Sequence, residues 1–360
     1  MKTDYQLDKI ARQLLDWYAH SKRNLPWRAT NDPYKIWLSE IILQQTRVDQ
    51  GLNYYLAFTK RYPRVGDLAS DSIENVLKLW QGLGYYSRAR NLHVTAQLIK
   101  NEHKGKFPAT FKELLSLKGV GQYTAAAISS ISFGERVAVL DGNVFRVLSR
   151  YFGIYTPIDS SAAKKEFFDL ANTLVPAKQA GDYNQAVMEL GALVCTPRNP
   201  SCETCPLNNG CYALQKKVQH ELPVKEKKTK VTNREFHYFL LVKGASFYIH
   251  QRTQKDIWQN LFQLPLIEKN ADFEKQVKKM CKDFGLKKAN LFKQEVYAAK
   301  HVLSHQVIQA KFWFVNINSP IPKNEYKAIR LLDFQDYAVS RLTEKFFETA
   351  FFKAKTLKGK

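Results

Sequence analysis

Glu40 is a carboxyl set among apolar side chains. In YKIWLSEIILQQ its i−4, i−3 and i+3 neighbours are Ile36, Trp37 and Leu43, and Ile41 and Ile42 follow it directly. On a helix such neighbours stand beside one another. Burial there would penalise the charged form and raise the pKa, which suits a general acid working near neutral pH. The other reading is a glutamate that faces solvent or a structural arginine. A second carboxylate, Asp141, opens the segment GNVFRVLSRYF. At a helix N-terminus it would be an N-cap, and the dipole and free amides there favour its ionised form. Upstream, Gly119-Val120-Gly121 makes a tight turn before the small-residue run Ala125-Ala126-Ala127. Amides at the start of that helix would point at an anion. The turn is not the dinucleotide fingerprint, because Thr124 stands where a third glycine is wanted and no strand precedes Gly119.

Four cysteines, Cys195, Cys202, Cys205 and Cys211, are spaced C-x6-C-x2-C-x5-C. Thiolates this close suit an iron–sulfur cluster or zinc. Zinc sites more often pair two C-x2-C knuckles, and only one is present. Cys281 lies apart, in a predicted helix, and is expected to be a buried thiol.

The elements that must position these groups fall into two halves. Residues 1 to about 194 read as helices joined by short loops. Leu7, Ile10, Leu14 and Tyr18 mark a first amphipathic face. Asp32-Pro33 reads as N-cap and first helical position for the Glu40 helix. Asp71 with Glu74, and Thr110 with Glu113, read as capping boxes. Gly82 ends a helix and begins the loop GLGYY. Asp182 reads as the cap of YNQAVMELGALV. After the cysteines, Pro223 to Arg234 has no periodicity and reads as a basic linker. From Glu235 the pattern is β-rich: FHYFLLV, a turn at Lys243-Gly244-Ala245, SFYIHQR, then FKQEVYAA and HQVIQAKFWFV. Helices are expected over Phe273 to Phe284 and Arg341 to Phe352. The division is thus 1–222, helical with the cysteine loop; 223–234, linker; and 235–360, α+β.

With 360 residues, two cores can be buried. An apolar fraction of 45% argues against disorder, and a net charge of +22 points to a polyanion. There is no secretory h-region and no run long enough to span a membrane, and disulfides are not expected without secretion. These features suggest a soluble cytoplasmic protein that works at the bacterial nucleoid.

The strings LKGVGQYTA and WLSEIILQQTRVDQ resemble the adenine DNA glycosylase (MutY) family of the endonuclease III, or helix-hairpin-helix, superfamily. The resemblance implies a mainly α fold whose hairpin at Gly119 and Gly121 grips a DNA phosphate. It implies that Glu40 protonates N7 of adenine while Asp141 balances or briefly bonds C1′, the two-carboxylate logic of glycoside cleavage. Superfamily lyases carry a Schiff-base lysine where this chain has Tyr123, so a monofunctional enzyme is implied. Tyr123 and Asn143 are implied to orient Asp141 and the nucleotide. Gln45 and Tyr85, with Leu83 beside them, match residues that intercalate when a base is extruded. Arg28 and Gln185 match adenine-pocket positions. The cysteine spacing equals that of the superfamily's [4Fe-4S] loop.

The C-terminal half resembles the family's MutT-like (Nudix-like) domain, without the acidic metal-binding box. Its segment His301-Val302-Leu303-Ser304-His305 matches the loop that senses 8-oxoguanine, with Ser304 and His305 as donors. Leu303 stands where the family usually has Phe, which removes stacking worth ~1–3 kcal/mol per base in single-strand binders. The implied partner is double-stranded DNA with A:8-oxoguanine or A:G mispairs, bound by a monomer. Two alternatives are a thymine-mismatch glycosylase and a non-catalytic iron–sulfur DNA-binding protein.

Overall fold

The computed structural model describes residues 4–226, 231–318 and 325–352. By contacts the chain divides into two compact units. One comprises residues 1–70 and 91–227, the other 71–90 and 228–360. Part of the expected linker, residues 227–230, lies outside the described residues. Among the described residues no helix is long and apolar enough to cross a membrane.

The first unit is helical. Helices α1 (Asp4–Ser21), α2 (Pro33–Leu43), α3 (Val48–Arg61) and α4 (Val65–Ser70) precede an excursion into the second unit. That excursion holds α5 (Ile73–Leu79) and the first turn of α6 (Ser87–Asn101). Then come α7 (Phe111–Leu114), α8 (Gln122–Phe133), α9 (Gly142–Phe152), α10 (Ser161–Leu174), α11 (Ala180–Leu193) and, after the cysteines, α12 (Tyr212–Lys216). Asp32 caps α2, accepting from the Tyr34 amide, and Thr110 with Glu113 forms a complete capping box on α7. Two caps differ from expectation. Ser72, not Asp71, accepts from the Asn75 amide on α5, and Asp71 binds the Asn75 side chain instead. Asp182 lies inside α11, whose N-cap is Gln179 in the left-handed region.

Helix α11 is the axis of this unit. It packs on α8 at Gly181, where an added Cβ would stand 2.7 Å from the Ile131 Cα, and on α9 at Gly191, where it would stand 2.6 Å from the Asn143 Cβ. The two glycines let three backbones approach closely. The apolar residues between them, Ala186, Val187 and Leu190, are buried in the same core as Ala126, Val144 and Phe167.

The second unit is a mixed sheet with helices. Its strands are β1 (Thr232–Lys243), β2 (Ser246–Gln251), β3 (Phe262–Gln263), β4 (Leu266–Glu268), β5 (Glu295–Val302), β6 (Gln306–Asn316) and β7 (Lys327–Arg330). The order is β3-β2-β1-β6-β5, with β4 on β1 and β7 on β2. Central β1 pairs parallel with β6, and Phe236 to Leu241 are buried on both faces. The buried run is therefore near-continuous rather than alternating, with His237 a polar member of it, as befits a doubly covered strand. Helix α13 (Phe273–Phe284) spans the expected residues and buries Val277, Met280 and Phe284, with Cys281 half-buried beside them. The last expected helix covers its span in two parts: α15 (Arg341–Phe346), which follows α14 (Lys288–Leu291), continues as a π-helix over Phe347–Phe352.

Residues 71–90 belong to this unit through specific bonds. Gln81 Nε2 donates to Glu344 at 2.8 Å, Arg90 Nη1 to the Gln259 carbonyl at 2.9 Å, and Lys78 Nζ to the Tyr337 carbonyl at 3.3 Å.

Gly191→Ala should cost about 1–3 kcal/mol, because its Cβ meets the Asn143 backbone rather than a flexible tip. That is a fall of roughly 2–4 °C in melting temperature per kcal/mol for a unit this size. Gly66→Ala, on α4 with nothing within 4 Å, is the control and should be neutral or slightly stabilising. Thermal unfolding followed by circular dichroism measures both.

Candidate active site

Glu40 sits near the C-terminal end of α2, 7% exposed, with Ile36, Trp37 and Ile41 buried around it. Across from it, Asp141 caps α9. Both carboxyls line one cavity of about 200 Å³ in the first unit, together with Arg28, Tyr123, Asn143, Gln185 and Glu189. Helix α8 delivers Tyr123 from the turn at Gly119, α9 delivers Asn143, and α11 delivers Gln185 and Glu189.

The two carboxyls are held differently. Asp141 accepts from the amides of Asn143 at 2.9 Å and Val144 at 2.7 Å, and from Asn143 Nδ2 at 2.7 Å. Glu40 accepts one short bond, 2.5 Å, from the Tyr123 hydroxyl. Burial pushes Glu40 up to about 7; the nearby Asp141 charge adds to the rise, while the Tyr123 bond and Arg28 oppose it. Burial also raises Asp141, against its three hydrogen bonds. That direction corrects the expectation that the helix tip alone governs Asp141. With three N–H donors against one hydroxyl, Asp141 is nevertheless the better-supported anion of the pair, and Glu40 the group that holds a proton.

Tyr123 differs from its implied role as well. Its hydroxyl bonds Glu40 and lies 3.4 Å from Met188 Sδ; the bonds to Asp141 come from Asn143 and the Val144 amide. Arg28 faces the cavity but is forked on Glu189, with Nη1 at 2.7 Å and Nη2 at 2.7 Å. Glu189 was not singled out from the sequence. The signal was there: a carboxylate within the apolar run AVMELGALV, one helical turn beyond Gln185.

The turn before α8 has Gly119 at φ 78°, with an added Cβ 2.7 Å from that of Asn91. Gly121 is the N-cap of α8 at φ −91° with open space beside it. Two further candidates share a backbone signature. Gln45 (φ 57°) and Tyr85 (φ 47°) both occupy the left-handed region, which is unfavourable for side chains of that size. Both are exposed. Leu83, in the same loop as Tyr85, is buried, unlike these two: it is only 6% exposed. Arg88 reinforces that loop, lying 5.6 Å from the Tyr85 ring with Nη2 3.3 Å from the Gly84 carbonyl. Tyr85, Trp258, Leu303, Ser304 and His305 line a cavity of about 430 Å³ within the second unit.

The four cysteines line a small apolar cavity of about 30 Å³ with Arg150 at its edge, Nη1 3.4 Å from Cys195 Sγ. Burial pushes Cys205 up to about 11 and raises Cys211, with neighbouring sulfurs adding to both. Four soft sulfur donors around one small cavity are the donor set an iron–sulfur cluster takes, so the residues fit one. Arg146 ties this loop to the acid pair: Nε donates to the Cys195 carbonyl at 2.7 Å and Nη2 to Asn143 Oδ1 at 2.8 Å.

The model of the HhH-GPD superfamily base excision DNA repair proteins matches residues 38–172, that of the NUDIX domain 237–349, and that of the iron-sulfur binding domain of endonuclease III 195–211. The adenine DNA glycosylase of Buchnera aphidicola subsp. Schizaphis graminum is 38% identical over 71% of this chain and 74% of its own. That of Buchnera aphidicola subsp. Baizongia pistaciae is 33% identical over 88% and 89%, and the human enzyme 45% over 58% and 40%. Among solved structures, a thermostable thymine-DNA glycosylase has a TM-score of 0.55 at 32% identity, covering 59% of this chain and 98% of its own. A non-covalent endonuclease III–DNA complex shares the fold, with a TM-score of 0.51 at 20% identity, over 61% of this chain and 100% of its own.

The raised pKa of Glu40 makes stability depend on pH with a defined sign. The folded state holds this proton up to about pH 7, whereas an ordinary glutamate releases it near 4.5. The stabilisation is full below 4.5 and is lost as pH rises through 7. Glu40→Gln should therefore gain on the wild type by up to about 3 kcal/mol between pH 4.5 and 8. Denaturant unfolding at the two pH values measures the difference, and an equal difference at both would contradict the assignment.

Proposed function

The chain belongs to the adenine DNA glycosylase family, and from that premise we propose that it removes adenine mispaired with 8-oxoguanine or guanine, without strand cleavage. It is a base-excision DNA glycosylase that carries a [4Fe-4S] cluster on Cys195, Cys202, Cys205 and Cys211. Its work in the cytoplasm, at nucleoid DNA, as a monomer is part of the proposal. The observation that carries it is the pair of unequal carboxyls on one small cavity.

The steps follow from that inequality. An adenine extruded from the duplex enters the cavity, and Glu40 gives its proton to N7. The C1′–N9 bond breaks, its electron pair stays with the base, and adenine leaves neutral. Asp141, held by three N–H donors, faces the positive charge that develops at C1′. Water then attacks C1′, and its proton passes to a carboxylate of the pair. Tyr123 sits where a lyase would need an amine; a phenol forms no Schiff base, which supports a monofunctional enzyme. The cluster, when bound, holds the loop that Arg146 links to Asn143, and so fixes Asp141.

Outside the cavity, Gln45 and Tyr85 carry backbone strain at exposed loop tips, which supports their use in propping the opened stack. Ser304 and His305 line the same second-unit cavity as Tyr85, and Ser304 Oγ lies 3.2 Å from His305 Nδ1. They are the donors proposed to read the base opposite adenine. Leu303 adds apolar contact there without an aromatic face.

Duplexes with A:8-oxoguanine, A:G and T:G, treated with alkali after incubation, separate the readings. Cleavage of the first two and not the third is expected. T:G cleavage favours the thymine enzyme, and no cleavage a binding protein. Borohydride should trap no covalent complex. Glu40→Gln should bind the mismatch yet release no adenine, and the wild-type single-turnover rate should fall about tenfold per pH unit above 7. Ser304→Ala combined with His305→Ala should lower the preference for 8-oxoguanine over guanine by more than it lowers the rate on A:G. Competition between the two duplexes in one reaction measures that preference.

A further inference from the structure

Glu189 is 1% exposed and lines the acid-pair cavity with two guanidinium groups forked on it. Arg28 places Nη1 2.7 Å from Oε1 and Nη2 2.7 Å from Oε2. Arg23 places Nε 2.9 Å from Oε1 and Nη2 2.6 Å from Oε2, and its own amide donates to Oε1 at 3.0 Å. A structural ion pair needs one arginine. Here a single buried carboxylate is shared by two, which leaves one positive charge at the wall of a cavity whose acid must stay protonated.

We propose that Glu189 is a positioning residue that neutralises and orients Arg23 and Arg28 so that they do not strip the proton from Glu40. The proposal rests on the reading of Glu40 as the acid. Burial would raise Glu189, but the two arginines hold it near about 2, so it is an anion throughout the working range. The nearest charges acting on Glu40 are Asp141, which favours its proton, and Arg28, which opposes it, while Tyr123 bonds its oxygen; Arg23 and Glu189 line the same cavity. Around the fork stand Tyr18 of α1, whose ring lies 5.5 Å from Arg28, and Asp182 of α11, which acts on Tyr18. Asp49 of α3 acts on Arg23. Without the Glu189 charge the net field of the two arginines at Glu40 rises, and an ionised Glu40 becomes easier to form. Without Arg23 the field falls and the proton is held more tightly.

The two variants must therefore move the alkaline limb of the rate profile in opposite directions. Single-turnover adenine release is measured from pH 5 to 9 for the wild type, Glu189→Gln and Arg23→Gln, with duplex affinity alongside. Glu189→Gln should shift the limb down by roughly half a unit or more, about threefold in rate on the alkaline side. Arg23→Gln, at a side chain one-third exposed, should shift it up. Glu189→Asp should recover part of the wild-type position. A uniform loss of rate with the limb unmoved, or shifts in the same direction, would overturn the proposal. If Glu189→Gln does not fold, the sign of the Arg23→Gln shift decides alone. A wild type with no limb, or a Glu40→Gln variant that still excises, would instead overturn the assignment of the acid.

Discussion

Two carboxyls on one cavity of about 200 Å³ cannot both be comfortable anions. Like charges at short range in a poorly solvated space favour a state in which one is neutral. Which one is neutral is decided by donors. Three N–H groups converge on Asp141 and a single hydroxyl on Glu40. The rest of the first unit maintains that inequality. α9 must present its amides, α2 must bring Glu40 in among apolar side chains, and α8 must set Tyr123 against it. Glycines 181 and 191 let α11 pass close enough to α8 and α9 to hold both, and α2 packs on α8.

The same logic extends outward through backbone and guanidinium contacts. Asn143 bonds Asp141 and is itself held by Arg146, which reaches the Cys195 carbonyl. The sulfur loop is thus mechanically continuous with the anion. In the lining of the same cavity, Glu189 holds two arginines. The one cavity is therefore lined both by a supported negative charge and by contained positive charge.

The second unit is built on different physics. Its centre is a strand buried on both faces, parallel to β6, and its candidate recognition residues stand at a turn between β5 and β6. The loop from Gly82 to Tyr86 joins it through Gln81, Lys78 and Arg90. Tyr85 thereby lines one cavity with Ser304 and His305 although more than 200 positions separate Tyr85 from Ser304.

Much of this was legible from local pattern. The apolar setting of Glu40, the capping place of Asp141, the glycine turn and the cysteine spacing are relations over a few residues, and helix geometry or ligand distance turns each into a physical statement. The cap of α2, the capping box of α7 and the span of α13 follow for the same reason. What tertiary structure alone decided lies in long-range partners. That Tyr123 bonds Glu40 rather than Asp141, that Leu83 turns inward, that β1 runs parallel to β6 and that Glu189 holds two arginines depend on residues up to 166 positions away. Burial is likewise a property of the packed chain, so the rise in the Asp141 pKa could not be read from a helix tip. Local sequence sets which groups can ionise, bond or cap; packing sets which of them meet, and in what dielectric.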